Sequence, residues 1–76
     1  MSMDPILDFR GLRCPLPVLK ARKAIKSMAP GAVVTILLTD PSAPEDFKDF
    51  CRISGHSWVR VESLADHSAL TLVLKS

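Results

Sequence analysis

Hydrophobic and polar positions along this chain switch between two periods, and each switch marks an element. "ILDF", Ile6 to Phe9, sets Leu7 and Phe9 on one face, the two-residue repeat of a short strand. Gly11 then permits a turn. From Pro17 to Met28 the repeat becomes helical: Val18, Ala21, Ile25 and Met28 form a stripe, with Lys20, Lys23 and Lys26 off it. "APG", Ala29 to Gly31, ends that helix. "AVVTILLT", Ala32 to Thr39, is β-branched and almost wholly apolar, which predicts a central strand. "DPSAP" breaks it. "EDFKDFCRISG" predicts a second helix with Phe47, Phe50 and Cys51 on one face. Its acidic first turn suits the helix dipole, and Gly55 suits the C-terminal cap. "SWVRVESL" and "SALTLVLK" alternate and are joined through Ala65, Asp66, His67 and Ser68, the pattern of a hairpin.

The predicted order is β-α-β-α-β-β. It implies an α/β (α+β) two-layer sandwich, a mixed four-stranded sheet with both helices on one face. Val34, Ile36, Leu38, Val59, Val61, Leu70, Leu72 and Leu74 are expected to face the helices. Val33, Leu37, Trp58 and Val73 would then lie on the open face, either as scattered surface apolars or as a partner or dimer surface.

Composition narrows the class. A chain of 76 residues is one small domain, residues 1–76. Such a domain buries only about 60% of the surface its unfolded chain exposes. A hydrophobic content of 47% offsets that, and 24% charge without runs argues against disorder. The net charge of +2 is too small to indicate nucleic acid by itself. Its distribution says more. Arg10, Arg13, Lys20, Arg22, Lys23 and Lys26 are clustered early, whereas Asp40, Glu45, Asp46 and Asp49 form an acidic group further on. Two different ends are expected. No basic region followed by an apolar stretch opens the chain, and no apolar run reaches the roughly 18 residues of a membrane helix. Two cysteines without a C-x-x-C pair suit a reduced, cytoplasmic protein rather than a disulfide scaffold.

The candidate chemistry sits in "GLRCPLPVLKARK", Gly11 to Lys23. Proline disfavours the α conformation in the residue before it, so Cys14 should be extended and outside the helix. Proline also favours the first helical position, so the helix should begin at Pro15 or Pro17, with Cys14 at its mouth. The N–H groups of Leu16, Val18 and Leu19 would be free to face a negative sulfur. The helix start and the adjacent Arg13 are both expected to lower the pKa of Cys14 from about 8.5, and to hold an anionic persulfide equally well. The competing reading is a small buried cysteine at a turn. Cys51, on the apolar stripe with Phe47 and Phe50, reads as structural.

No general base stands near Cys14 in the sequence. His56 follows the Gly55 cap and His67 lies in the hairpin turn, so neither a Cys-His hydrolase nor a metal site is supported. The missing C-x-x-C argues against a thioredoxin-type exchanger. What remains is a lone activated thiol that accepts and passes on a group.

"LDFRGLRCPLPVLKARKAIKSMAPG", Leu7 to Gly31, resembles the start of the TusA-like (SirA-like) sulfur-carrier family, whose C-P-x-P hallmark stands here as Cys14, Pro15, Leu16 and Pro17. "TDPSAPEDFKDFCRISGH" resembles the family's D-P segment, the Asp that opens its second helix, and its F-C pair, at Asp40 with Pro41, Asp46, and Phe50 with Cys51. The likeness spans roughly Leu7 to Leu74. Pro44 and Glu45 depart from it where many members carry threonine and arginine, and Lys48 stands where proline is common. The resemblance implies the same two-layer fold and a sulfurtransferase that carries sulfane sulfur as a persulfide on Cys14, with no cofactor and no independent small-molecule turnover. Pro15 and Pro17 would shape the site, Arg13 would support its charge, and Asp46, with Lys20 and Lys23, would help dock a partner. Donors in the family include cysteine desulfurases and rhodanese-like proteins. Destinations include tRNA thiolation, molybdenum-cofactor maturation and sulfur oxidation. The alternative from another class is a regulatory or RNA-binding module using the basic first helix. Aromatics at only 5% weigh against it, since single strands bind by stacking.

Overall fold

A computed structural model of the chain describes residues 5–75. The start of the N-terminal stretch read above for a signal segment, residues 1–4, lies outside them. Strand β1 (Ile6–Phe9), helix α1 (Leu16–Ile25), strand β2 (Val33–Leu38), helix α2 (Ala43–Ser54) and strands β3 (Ser57–Ser63) and β4 (Ser68–Val73) follow in the expected order. The sheet runs β1-β2-β4-β3. β1 pairs with β2 in parallel, Leu7 opposite Ile36, whereas β4 is antiparallel to both β2 and β3. It is therefore the mixed sheet that the element order implies.

The core lies between the sheet and the helix layer. Alternation along β2 buries Val34, Ile36 and Leu38, and β4 adds Leu70 and Leu72, with Leu74 just beyond it. The helices close over them with Ala21 from α1 and Ala43, Phe47 and Cys51 from α2. No polar side chain is buried among the described residues. On the other face of the sheet Val33, Thr35, Leu37, Thr71 and Val73 remain only half-buried.

Two local departures have physical causes. Helix α1 ends at Ile25, not Met28, because the N–H groups of Ser27 and Met28 bond the carbonyls three residues back, at 3.2 and 3.0 Å, and tighten the last turn. Met28 still packs on the core. In β3 a bulge interrupts the register: Trp58 opposes Leu72 and Val61 opposes Leu70, three residues apart where regular pairing allows two. Trp58 therefore packs against the core instead of lying on the open face. Val59, the extra residue of the bulge, is 50% exposed and does not face the helices. Val61 lies on the helix side but stays exposed because β3 is an edge strand. Gly55 ends α2 at φ +87°, where its N–H reaches the carbonyl of Cys51 at 2.9 Å.

Candidate functional site

The site is built where the two helices begin. α1 and α2 each follow one of the parallel strands β1 and β2, so their N-terminal ends lie at the same end of the sheet, beyond the C-terminal ends of those strands. Cys14 lies in the turn before α1, exposed and with a free thiol. Pro15 is the N-cap of α1, and Pro17 is buried in its first turn, as the proline spacing predicts. The Cys14–Pro15 peptide bond is cis.

Asp40 anchors this turn from the loop between β2 and α2. Its Oδ2 accepts the backbone N–H of Cys14 at 2.7 Å. Its Oδ1 accepts the N–H of Ser42 at 2.9 Å and the Ser42 hydroxyl at 2.8 Å. One carboxylate thus ties together the starts of both helices. These hydrogen bonds, the Cys14 N–H foremost, hold the Asp40 carboxyl below the usual carboxylate range, with the Arg13 charge as a smaller aid. On the same side the Thr39 hydroxyl accepts the Gly11 N–H at 2.8 Å, where Gly11 holds φ +85°.

A groove of about 420 Å³ runs between the helices, lined by Cys14, Pro15, Val18 and Arg22 on the α1 side. Asp46, Asp49, Phe50, Ile53 and Ser54 of α2 line the other. Because the helices run in the same sense, Cys14 and Asp46 stand at one end, and Arg22 and Ser54 lie further along. The floor is apolar, and Ile53 is 78% exposed.

The electrostatics reverse the expectation from the sequence. The Cys14 thiol is pushed up from its ordinary value, not down. The main cause is a hydrogen bond to the Asp46 side chain, followed by partial desolvation and the charges of Asp46 and Asp40. Arg13 does not offset them. It lines a separate hollow with Gly11, Leu12, Thr39, Asp40 and Pro41. The helix N–H groups are also largely spent: Leu16 donates to the Arg13 carbonyl at 2.9 Å and Leu19 to the Pro15 carbonyl at 3.2 Å. A negative sulfur here faces the carboxylates of Asp46 and Asp40.

Of the residues singled out from sequence, the structure brings Cys14, Pro15 and Asp46 into one groove. Lys20 and Lys23 are exposed on α1 and do not line it. The acidic group is not remote from the basic helix, because Asp46 and Asp49 share the groove with Arg22. Sequence reasoning missed Asp40 as the anchor of the Cys14 backbone, although Asp-Pro-Ser after a strand is a recognisable Asx-turn signal. It also missed Arg22 as the groove's cation, one helical turn beyond Val18. His56 and His67 play the local parts expected of them: the His56 Nδ1 accepts the Lys75 N–H at 2.9 Å, and His67 pairs with Asp66 at 2.6 Å. Among the described residues no cluster could hold a metal ion, and no helix is long and apolar enough to cross a membrane.

The comparisons with known proteins converge on one family. The model of the family described as "Sulfurtransferase TusA" matches residues 6–75. A candidate sulfur carrier protein of Neisseria meningitidis serogroup A is 46% identical over 69 residues, covering 91% of this chain and 90% of that protein. The sulfur carrier protein TusA of Pseudomonas aeruginosa is 39% identical over 64 residues, covering 84% and 81%. Among solved structures, a SirA-like protein from Desulfitobacterium hafniense superposes with a TM-score of 0.80 at 25% identity, covering 95% of this chain and 99% of that one.

Proposed function

The chain belongs to the sulfurtransferase TusA family, and from that premise we propose that it accepts a sulfane sulfur as a persulfide on Cys14 and relays it to an acceptor protein. A sulfur-carrier role follows from the family. The assignment to Cys14 is carried by one observation: the C-P-x-P cysteine is an exposed free thiol at the head of the interhelical groove. Cys51, the other thiol, is buried and held up by desolvation, which suits a packing role.

A shallow groove suits a protein partner better than independent turnover of a small molecule. The donor we infer is a cysteine desulfurase or a rhodanese-like protein, and the acceptor is a further protein of a sulfur relay such as those of tRNA thiolation, molybdenum-cofactor maturation or sulfur oxidation. Asp46 is the partner-facing residue in the groove. Arg13 supports the site indirectly, through Asp40. Lys20 and Lys23 would serve only a partner large enough to reach beyond the groove along α1. The setting is cytoplasmic, where an exposed thiol stays reduced. The test is intact mass spectrometry after incubation with a cysteine desulfurase and cysteine, or with polysulfide, followed by peptide mapping. One dithiothreitol-labile sulfur on Cys14, absent from Cys14→Ser, is expected. Loading that survives Cys14→Ser and disappears in a Cys51 variant overturns the assignment.

A further inference from the structure

Strand β1 ends the sheet on one side and β3 ends it on the other, and the two edges are finished differently. On β1, which is four residues long, Arg10 spends its guanidinium fork on Asp8, at 2.9 Å to Oδ1 and 2.8 Å to Oδ2. On β3 six of the seven residues are exposed. Its charges, Arg60 and Glu62, approach each other only to 4.0 Å and remain 68% and 60% exposed. Both lie on the open face, opposite Thr71 and Ala69. Val61 between them stands opposite Leu70 on the helix side and is 38% exposed. Bulges and charges on an edge strand normally discourage pairing with another chain. Here the two charges have opposite signs and sit symmetrically about an apolar residue, which makes the edge complementary to itself.

We propose that two copies of this chain associate through β3, the strands running antiparallel about a two-fold axis at Val61. That register sets Arg60 of each copy opposite Glu62 of the other, and Val61 opposite Val61 of the second copy. Four charges then alternate in sign around the joint, and directly opposed side chains on one face lie close enough to interact. Centring the pair on Arg60 or on Glu62 instead brings like charges face to face, so charge selects the register as well as permitting it. The axis stands across the sheet, so both helix layers stay on one side and the two open faces join into one eight-stranded surface. β3 runs parallel to β2, because both are antiparallel to β4. In the second copy that direction is reversed. The two Cys14 thiols therefore lie at opposite ends of the joint sheet, and neither covers the other. The bulge between Trp58 and Arg60 leaves a ladder of only a few regular residue pairs. The joint belongs with the small, weak interfaces, below about 1,200 Å², and the dimer forms at high concentration.

Sedimentation equilibrium of the full chain, across micromolar to millimolar concentrations, reads the association. The mean mass should climb from one chain toward two as concentration rises, and added salt should weaken the climb. Arg60→Glu and Glu62→Arg each turn two attractive contacts into two repulsive ones and should each weaken association by about tenfold or more. Mixing the two variants restores opposite charges at both contacts. An equimolar mixture should therefore recover wild-type association as a heterodimer, identified by native mass spectrometry. Recovery on mixing excludes misfolding as the cause of the single-variant losses, since an unfolded chain has no β3 edge to offer. A wild type that stays monomeric throughout overturns the proposal. So does association that neither charge reversal weakens, which would place the contact on the open face or in the interhelical groove. A mixture that remains monomeric overturns the register.

Discussion

Replacing Cys51 separates the two thiols of this protein and measures what the buried one does. Cys51 is 3% exposed, on the core face of α2 with Phe47, where no buried polar side chain offers its sulfur a partner. Cys51→Ala removes about one methylene equivalent of buried apolar volume, roughly 0.8 kcal/mol, plus a small cavity, for about 1 kcal/mol in all. Cys51→Ser keeps the volume but buries a hydroxyl. Such a group costs about 1–3 kcal/mol when unpaired. A serine here has a partial escape, because Ser54 already bonds the Phe50 carbonyl one turn back at 2.6 Å, and a serine at 51 can reach the carbonyl of Phe47 in the same way. We therefore expect about 2 kcal/mol for Ser, and the order wild type, Ala, Ser in falling stability. Thermal unfolding followed by circular dichroism should show Tm lowered by roughly 4–8 °C for Ala and about twice that for Ser. Both variants should still take one sulfur on Cys14 below their midpoints. A serine variant as stable as wild type would refute the account of an apolar site, and an alanine variant that folds but fails to load would refute the structural role.

The remaining predictions concern the turn and the caps. Asp40→Asn should lower the pH midpoint for alkylation of Cys14 by iodoacetamide, but by less than Asp46→Asn does, because the Asp46 hydrogen bond is the larger cause of the raised thiol value. Amide hydrogen exchange of Cys14 should show a matching acid sensitivity. The Asp40 carboxyl is depressed in the folded protein, so its contribution is full above the unfolded value of about 3.9 and is lost as pH falls through the folded value. Exchange protection that persists in acid below that range would contradict the 2.7 Å anchor. Gly55→Ala should lower Tm by roughly 4–8 °C, about 1 kcal/mol, from the positive φ of +87° alone. A Cβ there meets the Lys75 side chain at 3.1 Å, but that flexible chain can swing aside, so a much larger loss would point to a packing role for Lys75.

The fold was legible to the extent that burial follows a period. β2 alternates without interruption, and every residue assigned to its core face is buried. The stripe Ala21, Ile25 and Met28 and the pair Phe47 and Cys51 landed on the core for the same reason. The period misled at Trp58 and Val59, because one inserted residue in a strand inverts every face on one side of it. Nothing in "SWVRVESL" marks where the insertion falls, since Trp, Val and Arg all suit a strand. The site was legible in position and illegible in charge. The two prolines placed Cys14 before the helix, where it is found. The local neighbours, Arg13 and the helix start, then implied an activated thiolate, and the groups that matter come from residues 26 and 32 positions further on.

From sequence alone came the element order, the mixed sheet, the core stripes and the place of Cys14 before the first helix, because these depend on local backbone preference and on hydrophobic period. Tertiary structure alone decided what that sulfur faces. Pairing β1 in parallel with β2 carries the start of α2 to the start of α1, so Asp40 and Asp46 reach Cys14 while the adjacent Arg13 turns to another hollow. A side chain's field falls off with distance in space and takes no account of distance along the chain. The protonation of Cys14 is therefore a property of the strand pairing rather than of the motif that contains it.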